Sequence, residues 1–485
     1  YIINKPENPS FKLSWMFPIL VFPVFGTLLY LFVELQVGQI VIARRSRRFA
    51  DESARFLEQD PGTVRRLEAQ DGQAANLAAY VKIQGGFPVY QNTSARYFST
   101  GEEMFEQLKA ELEKAERFIF LEYFIVERGE MWNAILEILE RKVREGVEVR
   151  FMYDGMCSLV LLPWRYPEEM EAHGIRCRQF APIRPALSTY QNNRDHRKIV
   201  VIDGRTAFTG GVNLADEYIN RKLRFGYWKD VGIQIQGDAV KNFTVMFLQL
   251  WNLWEKQPVP YEPYVRAGEE ERQEAGGQGF VLPFGDSPLD HEPVGKRVYL
   301  DMLNTARRYV HIMTPYLILD DELIGSLVFA AKRGVDVSIL MPHIPDKKYA
   351  LYSGPYLLSA AAGRRREDLR VYPGIYPRQS FCQRLMKRRW WGSINLDFRS
   401  LYHHFECAVL SVPQPGHCRR GAGFPGHPEP VPAGFHGRLP AQAAAPEGGR
   451  MGAAADRAAD VVSKAKSPPC GSAGISACRS AFFIR

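Results

Sequence analysis

The chain has 485 residues, 46% hydrophobic and 24% charged, too long for one compact core and ordinary for a folded protein of two domains. Its seven cysteines form no CxxC pair and no regular spacing, which argues against a zinc framework or a disulfide scaffold and fits a reducing compartment. The net charge of +8 does not argue for nucleic acid, because it sits in two segments: residues 375–391, basic with no acid, and 411–485, with nine Lys and Arg against four acids.

Residues 14–33 (SWMFPILVFPVFGTLLYLFV) carry no charge. Twenty residues rising about 1.5 Å each match a hydrocarbon core of about 30 Å, so 13–36 is expected to be a transmembrane helix. Trp15 and Tyr30 fall near its ends, as interface aromatics do, and Pro18, Pro23 and Gly26 are tolerable there. Arg44, Arg45, Arg47 and Arg48 follow, whereas only Lys5 and Lys12 precede, which puts the remainder on the cytoplasmic side. The chain opens on Tyr1 rather than Met, so 1–12 reads as the end of a longer segment.

Residues 37–85 read as a linker. Thr100 and Glu103 form a capping box, followed by Phe105, Leu108 and Leu112 on one helical face. Residues 117–125 (RFIFLEYFI) read as a buried strand, 130–145 as a helix, and VEVRFMYD after Gly146 as a second strand. This order repeats. Residues 308–318 match 117–125 in character, a helix is expected over 320–333, and Gly334-VDVSILMP parallels Gly146-VEVRFMYD at an offset of 188. Gly210-Gly-Val-Asn213 and Gly392-Ser-Ile-Asn395 follow at an offset of 182. The class is therefore α/β, with two copies of a β-α-β unit: lobes over 86–255 and 291–410, joined by 256–290 and followed by a tail over 411–485.

Chemistry concentrates in residues 190–218. His196-x-Lys198-x4-Asp203 runs into the strand IVVID, so His196 and Lys198 share a face. An imidazole and an ammonium on one face suit a phosphate: the imidazole can attack phosphorus while the Lys holds an oxygen. Asp203 has the opposite parity, so it suits an orienting role. Asn213 follows a Gly-Gly turn, where backbone can approach a ligand closely. The bare H-x-K-x4-D pattern is weak alone; the Gly-Gly-x-Asn tail and the duplicated frame strengthen it.

With its flanks Asn193-Arg-Asp-His-Arg-Lys-Ile and Thr209-Gly-Gly-Val-Asn-Leu-Ala-Asp-Glu-Tyr-Ile-Asn220, the motif resembles the HKD signature of bacterial cardiolipin synthases in the phospholipase D superfamily. Tyr227-Trp-Lys-Asp230, Thr314-Pro-Tyr316, Asn395-Leu-Asp-Phe-Arg-Ser-Leu-Tyr402 and the Asn-Pro-Ser-x-Lys-Leu run over 8–13 extend the resemblance to roughly residues 8–410. It implies two phospholipase D-like lobes of mixed sheets flanked by helices, one active site between them, a phosphatidyl-histidine intermediate and no required metal or cofactor. His196 would be the nucleophile, Lys198 and Asn213 would bind phosphate, and Asp203 would tune a histidine. Gly211, Ser393 and Asn395 would complete the phosphate site. The substrate implied is phosphatidylglycerol in a bacterial inner membrane, with a second phosphatidylglycerol as acceptor, giving cardiolipin and glycerol. No nucleic-acid partner is implied; homo-oligomerisation stays open. Hydrolysis by water, as in a phospholipase D or nuclease, and a non-catalytic lipid-binding remnant are the competing readings.

One feature departs from that family. No His occurs between His343 and His403, so the His-x-Lys expected just before Gly392 is missing. The text there, IYPRQSFCQRLMKRRWW, shows no strand alternation. A one-base shift of suitable codons from Ile375 reads Phe-Ile-His-Ala-Lys-Val-Phe, which restores His-x-Lys near positions 377 and 379. A reading-frame slip is therefore expected here, and a second for the Pro-, Gly- and Ala-rich tail from Ser411. Without a second imidazole the chain is expected to lack the general acid for the leaving alkoxide.

Overall fold

The computed structural model describes residues 1–5, 9–34, 37–183, 192–224, 226–267, 277, 279–342, 369–373, 378–379, 383–385 and 388–413. Most of 375–391, and the tail beyond Pro413, lie outside the described residues.

The single helix expected over 13–36 is instead two, Pro9–Val21 and Pro23–Glu34, separated at Phe22. At about 1.5 Å per residue they reach about 20 Å and 18 Å. No helix among the described residues is long and apolar enough to cross a membrane. The chain folds back on itself: a Cβ on Gly26 would lie 2.4 Å from the Pro18 carbonyl oxygen, so only glycine admits this approach. Trp15 and Tyr30, read as the two ends of one span, therefore meet with ring centroids 5.2 Å apart. Phe17, Leu20, Phe22, Val24 and Phe25 remain exposed. Phe11 packs edge-on against Phe398, at 5.0 Å, and against His403, at 6.2 Å.

The first lobe carries β1 (Thr93–Phe98), β2 (Phe118–Tyr123), β3 (Glu148–Asp154), β4 (Arg176–Phe180), β5 (Arg194–Asp195), β6 (Ile199–Ile202), β7 (Thr206–Gly210), β8 (Trp228–Lys229) and β9 (Gly232–Gly237). Seven of these form one sheet in the order β1-β9-β7-β6-β2-β3-β4. Pairs β2/β3 and β3/β4 are parallel; the other four are antiparallel. The capping box is present: Thr100 accepts from the Glu103 N–H at 3.3 Å, and Glu103 reaches back to the Ser99 N–H at 3.1 Å. The helix Gly101–Leu112 that it starts buries Met104, Phe105, Leu108 and Leu112.

The second lobe carries β10 (Phe280–Asp286), β11 (Tyr309–Met313), β12 (Asp336–Met341), β13 (Leu369–Pro373), β14 (Arg378–Gln379), β15 (Gln383–Leu385), β16 (Arg388–Gly392) and β17 (His404–Val412). Its main path is β10-β17-β16-β15-β11-β12-β13. Strand for strand, with the same parallel and antiparallel pairs, this repeats the first sheet. The duplication seen in sequence is thus a duplication of topology. Within the basic run, β15 and β16 occupy the places that β6 and β7 hold in lobe 1.

The lobes exchange short strands. β5 of lobe 1 pairs in parallel with β17 of lobe 2, and β14 of lobe 2 pairs in parallel with β8 of lobe 1. Each lobe therefore hands the segment that precedes its motif strand to the other lobe. Thr209 Oγ1 and Cys407 Sγ, 3.4 Å apart, also meet across this seam.

Asp203 sits at the far end of β6 from His196, with φ +52°. Its carboxylate accepts from the backbone N–H groups of Glu116 (2.9 Å), Arg117 (2.8 Å) and Phe118 (2.8 Å), pinning the start of β2. Asp203→Ala strands these donors, one of them buried, and should cost about 2–4 kcal/mol in chemical unfolding. The folded fraction should still modify His196 at the unaltered rate; a chemical defect in well-folded protein would return Asp203 to the catalytic machinery.

Candidate active site

The geometry starts from β5. Arg194 lies beside His404 and Asp195 beside Phe405, and the His196 N–H donates to the Phe405 carbonyl at 2.9 Å. His196 is thereby held by the opposite lobe. Its Nδ1 is 3.1 Å from Glu406 Oε2 and 3.0 Å from Oε1. A carboxylate on Nδ1 fixes that nitrogen as the protonated one and leaves Nε2 as the basic, nucleophilic atom. The Phe124 ring packs edge-on against the imidazole at 4.8 Å. Ser393 Oγ donates to Glu406 Oε2 and accepts from the Cys407 N–H at 3.1 Å, so Glu406 is itself oriented.

Lys198 is buried, bonds the His196 carbonyl through Nζ, and lies 5.5 Å from the centre of the Phe124 ring. Burial pulls its ammonium down to about 8, against the pull of Glu406 and Asp230. A buried ammonium beside His196 is poised to receive a phosphate oxyanion. Burial likewise raises the Glu406 carboxyl and lowers the neighbouring His404 to about 4.

Beneath this layer lies a buried charge network. Arg197 Nε is 2.5 Å from Glu122 Oε1 and 3.4 Å from Asp195 Oδ1. Burial pushes Glu122 well above the usual carboxylate range, against the pull of Arg197. Asp154 accepts from the Asp195 N–H at 3.0 Å and stands 3.5 Å from Arg194; burial pushes it up to about 7.

The predicted residues divide. His196, Lys198 and Ser393 converge on one spot, joined by Glu406. Asn213 is buried, with Oδ1 accepting from the Ile125 N–H at 3.0 Å and Nδ2 donating to Tyr218 Oη at 2.8 Å. The Gly211 N–H donates to the Val231 carbonyl at 3.1 Å. Both therefore brace the Gly-Gly turn. Asn395 is half-buried in the equivalent turn of lobe 2. Asp203 makes its bonds elsewhere, as above. Glu406, His404 and Arg197 were missed. The available signal was a lone Glu inside the apolar strand FECAVL, where an unpaired carboxylate would be costly.

In lobe 2, Gln379 lies beside Lys229 as Asp195 lies beside Phe405. The position matching His196 is therefore the one after Gln379, outside the described residues, and by sequence it is Ser380. Asp230 corresponds to Glu406, because Gly210 pairs Gly232 as Gly392 pairs Ala408.

Glu406→Gln keeps the shape but removes the charge on Nδ1. About 10²-fold slower modification of His196 is expected. The His196 ring 15N shifts should move toward a tautomer mixture while the melting temperature stays nearly unchanged. An unaltered rate with shifted tautomer would show that Glu406 does not drive the chemistry.

Two sheets of one topology, meeting at a histidine supplied by one lobe and oriented by the other, define the duplicated phospholipase D architecture. A phosphatidylserine synthase from Haemophilus influenzae shares the fold, with a TM-score of 0.50 and 13% identity, over 70% of this chain and 87% of that one. The family model described as cardiolipin synthase, PLD-like domain, matches residues 108–251 and 299–414, and a phospholipase D-nuclease N-terminal model matches 1–34. Over 82% of this chain and 79% of its own, a cardiolipin synthase from Geobacillus kaustophilus is 33% identical. A cardiolipin synthase 2 from Bacillus cereus is 33% identical over 84% and 78%, and a Streptococcus mutans protein described as "Uncharacterized protein" is 46% identical over 84% and 88%. The chain belongs to the bacterial cardiolipin synthase family of the phospholipase D superfamily.

Proposed function

We propose that this site carries out phosphatidyl transfer from phosphatidylglycerol. The observation that carries the reading is the His196 imidazole held by Glu406 across the lobe seam, beside the buried Lys198 ammonium. His196 Nε2 attacks phosphorus, the P–N bond forms, and the P–O bond to glycerol breaks. The glycerol alkoxide leaves and takes its proton from water, because residues 375–391 supply no second imidazole. In the second step a hydroxyl of another phosphatidylglycerol gives its proton to water and attacks phosphorus, the P–N bond breaks, and His196 and cardiolipin are released. Lys198 neutralises charge on the non-bridging oxygens in both steps.

The proton for the leaving alkoxide is where this chain is weak. Residues 375–391 supply no histidine, so turnover should be slow and the covalent intermediate should accumulate. We attribute the gap to a reading-frame slip; resequencing codons 370–485 tests this, and DNA that confirms the text removes the slip. Membrane attachment through residues 9–34 fits the exposed apolar side chains there, and the cytoplasmic side for the lobes rests on Arg44, Arg45, Arg47 and Arg48.

Purified chain in phosphatidylglycerol vesicles tests the reading. Glycerol release with cardiolipin is the expected product pair. Free phosphatidic acid instead would make water the acceptor and the protein a hydrolase. Lipid binding with neither product nor adduct would leave a non-catalytic lipid-binding protein.

A further inference from the structure

Three metal-ligating side chains converge at the seam, and the transfer chemistry leaves one of them unused. His196, His404 and Glu406 each bring a ligand atom to within 4.8 Å of the others. The two imidazole centroids are 5.5 Å apart. Glu406 Oε1 lies 3.0 Å from His196 Nδ1 and 3.7 Å from His404 Nδ1, the second too long for a hydrogen bond. Both ring nitrogens of His404 are buried with no hydrogen-bond partner among the described residues. A buried imidazole with neither nitrogen satisfied is rare in a folded protein and points to a ligand.

We propose that His196, His404 and Glu406 form a binding site for a divalent transition ion of the zinc type, and that the bound ion takes the nucleophilic imidazole out of use. The donor set supports this. Two imidazoles and one carboxylate suit zinc or cobalt, which accept three protein ligands and keep a fourth position open. With metal–ligand bonds of about 2.0–2.1 Å, a tetrahedral ion needs ligand atoms about 3.4 Å apart. The two separations from Glu406, 3.0 Å and 3.7 Å, bracket that value. The carboxylate offsets part of the ion's charge, and Ser393 holds it in place. These distances put the ion on His196 Nδ1, so the ring proton moves to Nε2 and attack on phosphorus stops while the ion is bound. Binding itself does not depend on the transfer reading; only the inhibition does.

The test uses the full chain, stripped with chelator, dialysed, and titrated with Co2+ and then Zn2+. Expected is one Co2+ per chain with the visible absorption of a tetrahedral site, displaced by Zn2+. His404→Asn and Glu406→Gln should each bind at least roughly tenfold more weakly. His173→Ala, which removes the His paired with Glu140 at 3.0 Å on the surface, should bind as the parent does. Circular dichroism establishes that each variant is folded; should His404→Asn fail to fold, Glu406→Gln carries the comparison. The absence of stoichiometric binding overturns the site, as does unchanged affinity in the folded variants. Stoichiometric binding that leaves phosphatidyl capture unimpaired overturns the blocking role. A protein that binds the ion but never captures lipid retains the metal site and refutes the transfer reading.

Discussion

His196→Gln should end covalent capture of phosphatidyl groups while leaving the chain folded. The backbone N–H of residue 196 still bonds Phe405, and the side chain is only partly buried, so the substitution leaves no large cavity. What disappears is the basic nitrogen. Neither oxygen nor nitrogen of a carboxamide is a competent nucleophile toward a phosphodiester, so the loss should reach at least about 10³-fold. Intact-protein mass spectrometry after incubation with phosphatidylglycerol reads this directly. The parent should gain one phosphatidyl group and the variant none. An equal mass gain in His196→Gln would place the nucleophile elsewhere, with the adjacent His404 the first to be tested. Asn213→Ala makes a useful contrast. Its amide braces the turn at Ile125 and Tyr218, so its loss should lower stability more than the rate of capture.

How much of this was written in the sequence depends on the range of each interaction. The helix starting at Thr100 and the buried β2 rest on local patterns, a cap and an apolar run, and both were legible. The duplicated sheets were legible because the same local text occurs twice. The pairing of His196 with Glu406 was not, since it spans 210 residues and depends on β5 crossing to the other lobe. Parity set Asp203 apart from the His196 face, and the fold ties its carboxylate to the backbone of residues 116–118, a contact no local pattern announces. Residues 9–34 misled for a physical reason. Hydropathy counts apolar residues and does not see a turn, and Phe22-Pro23 with Gly26 allows the chain to fold back within what reads as a single span.

Arg197→Met should be the most destabilising single change in the site, though Arg197 touches no substrate. Its guanidinium is buried between Glu122 and Asp195 and also stacks over Phe405 at 5.9 Å. Removing one partner of a buried ionic group leaves the other without compensation, which costs about 3–5 kcal/mol. That is a large share of the roughly 5–15 kcal/mol typical of a folded domain. Met matches the length of the Arg stem, so lost packing contributes little and the penalty is chiefly electrostatic. The sign can be isolated. Glu122→Gln in the Arg197→Met background removes one uncompensated acid and should recover more than half of the loss, because replacing both members of a buried pair is often close to neutral. Thermal and urea unfolding of the parent, the single and the double variant measure it. A single variant within about 1 kcal/mol of the parent would mean that protonation of Glu122, already favoured by its burial, relieves the network without Arg197. Recovery in the double variant would instead fix Arg197 as the group that compensates the buried acids of β2 and β5 under His196.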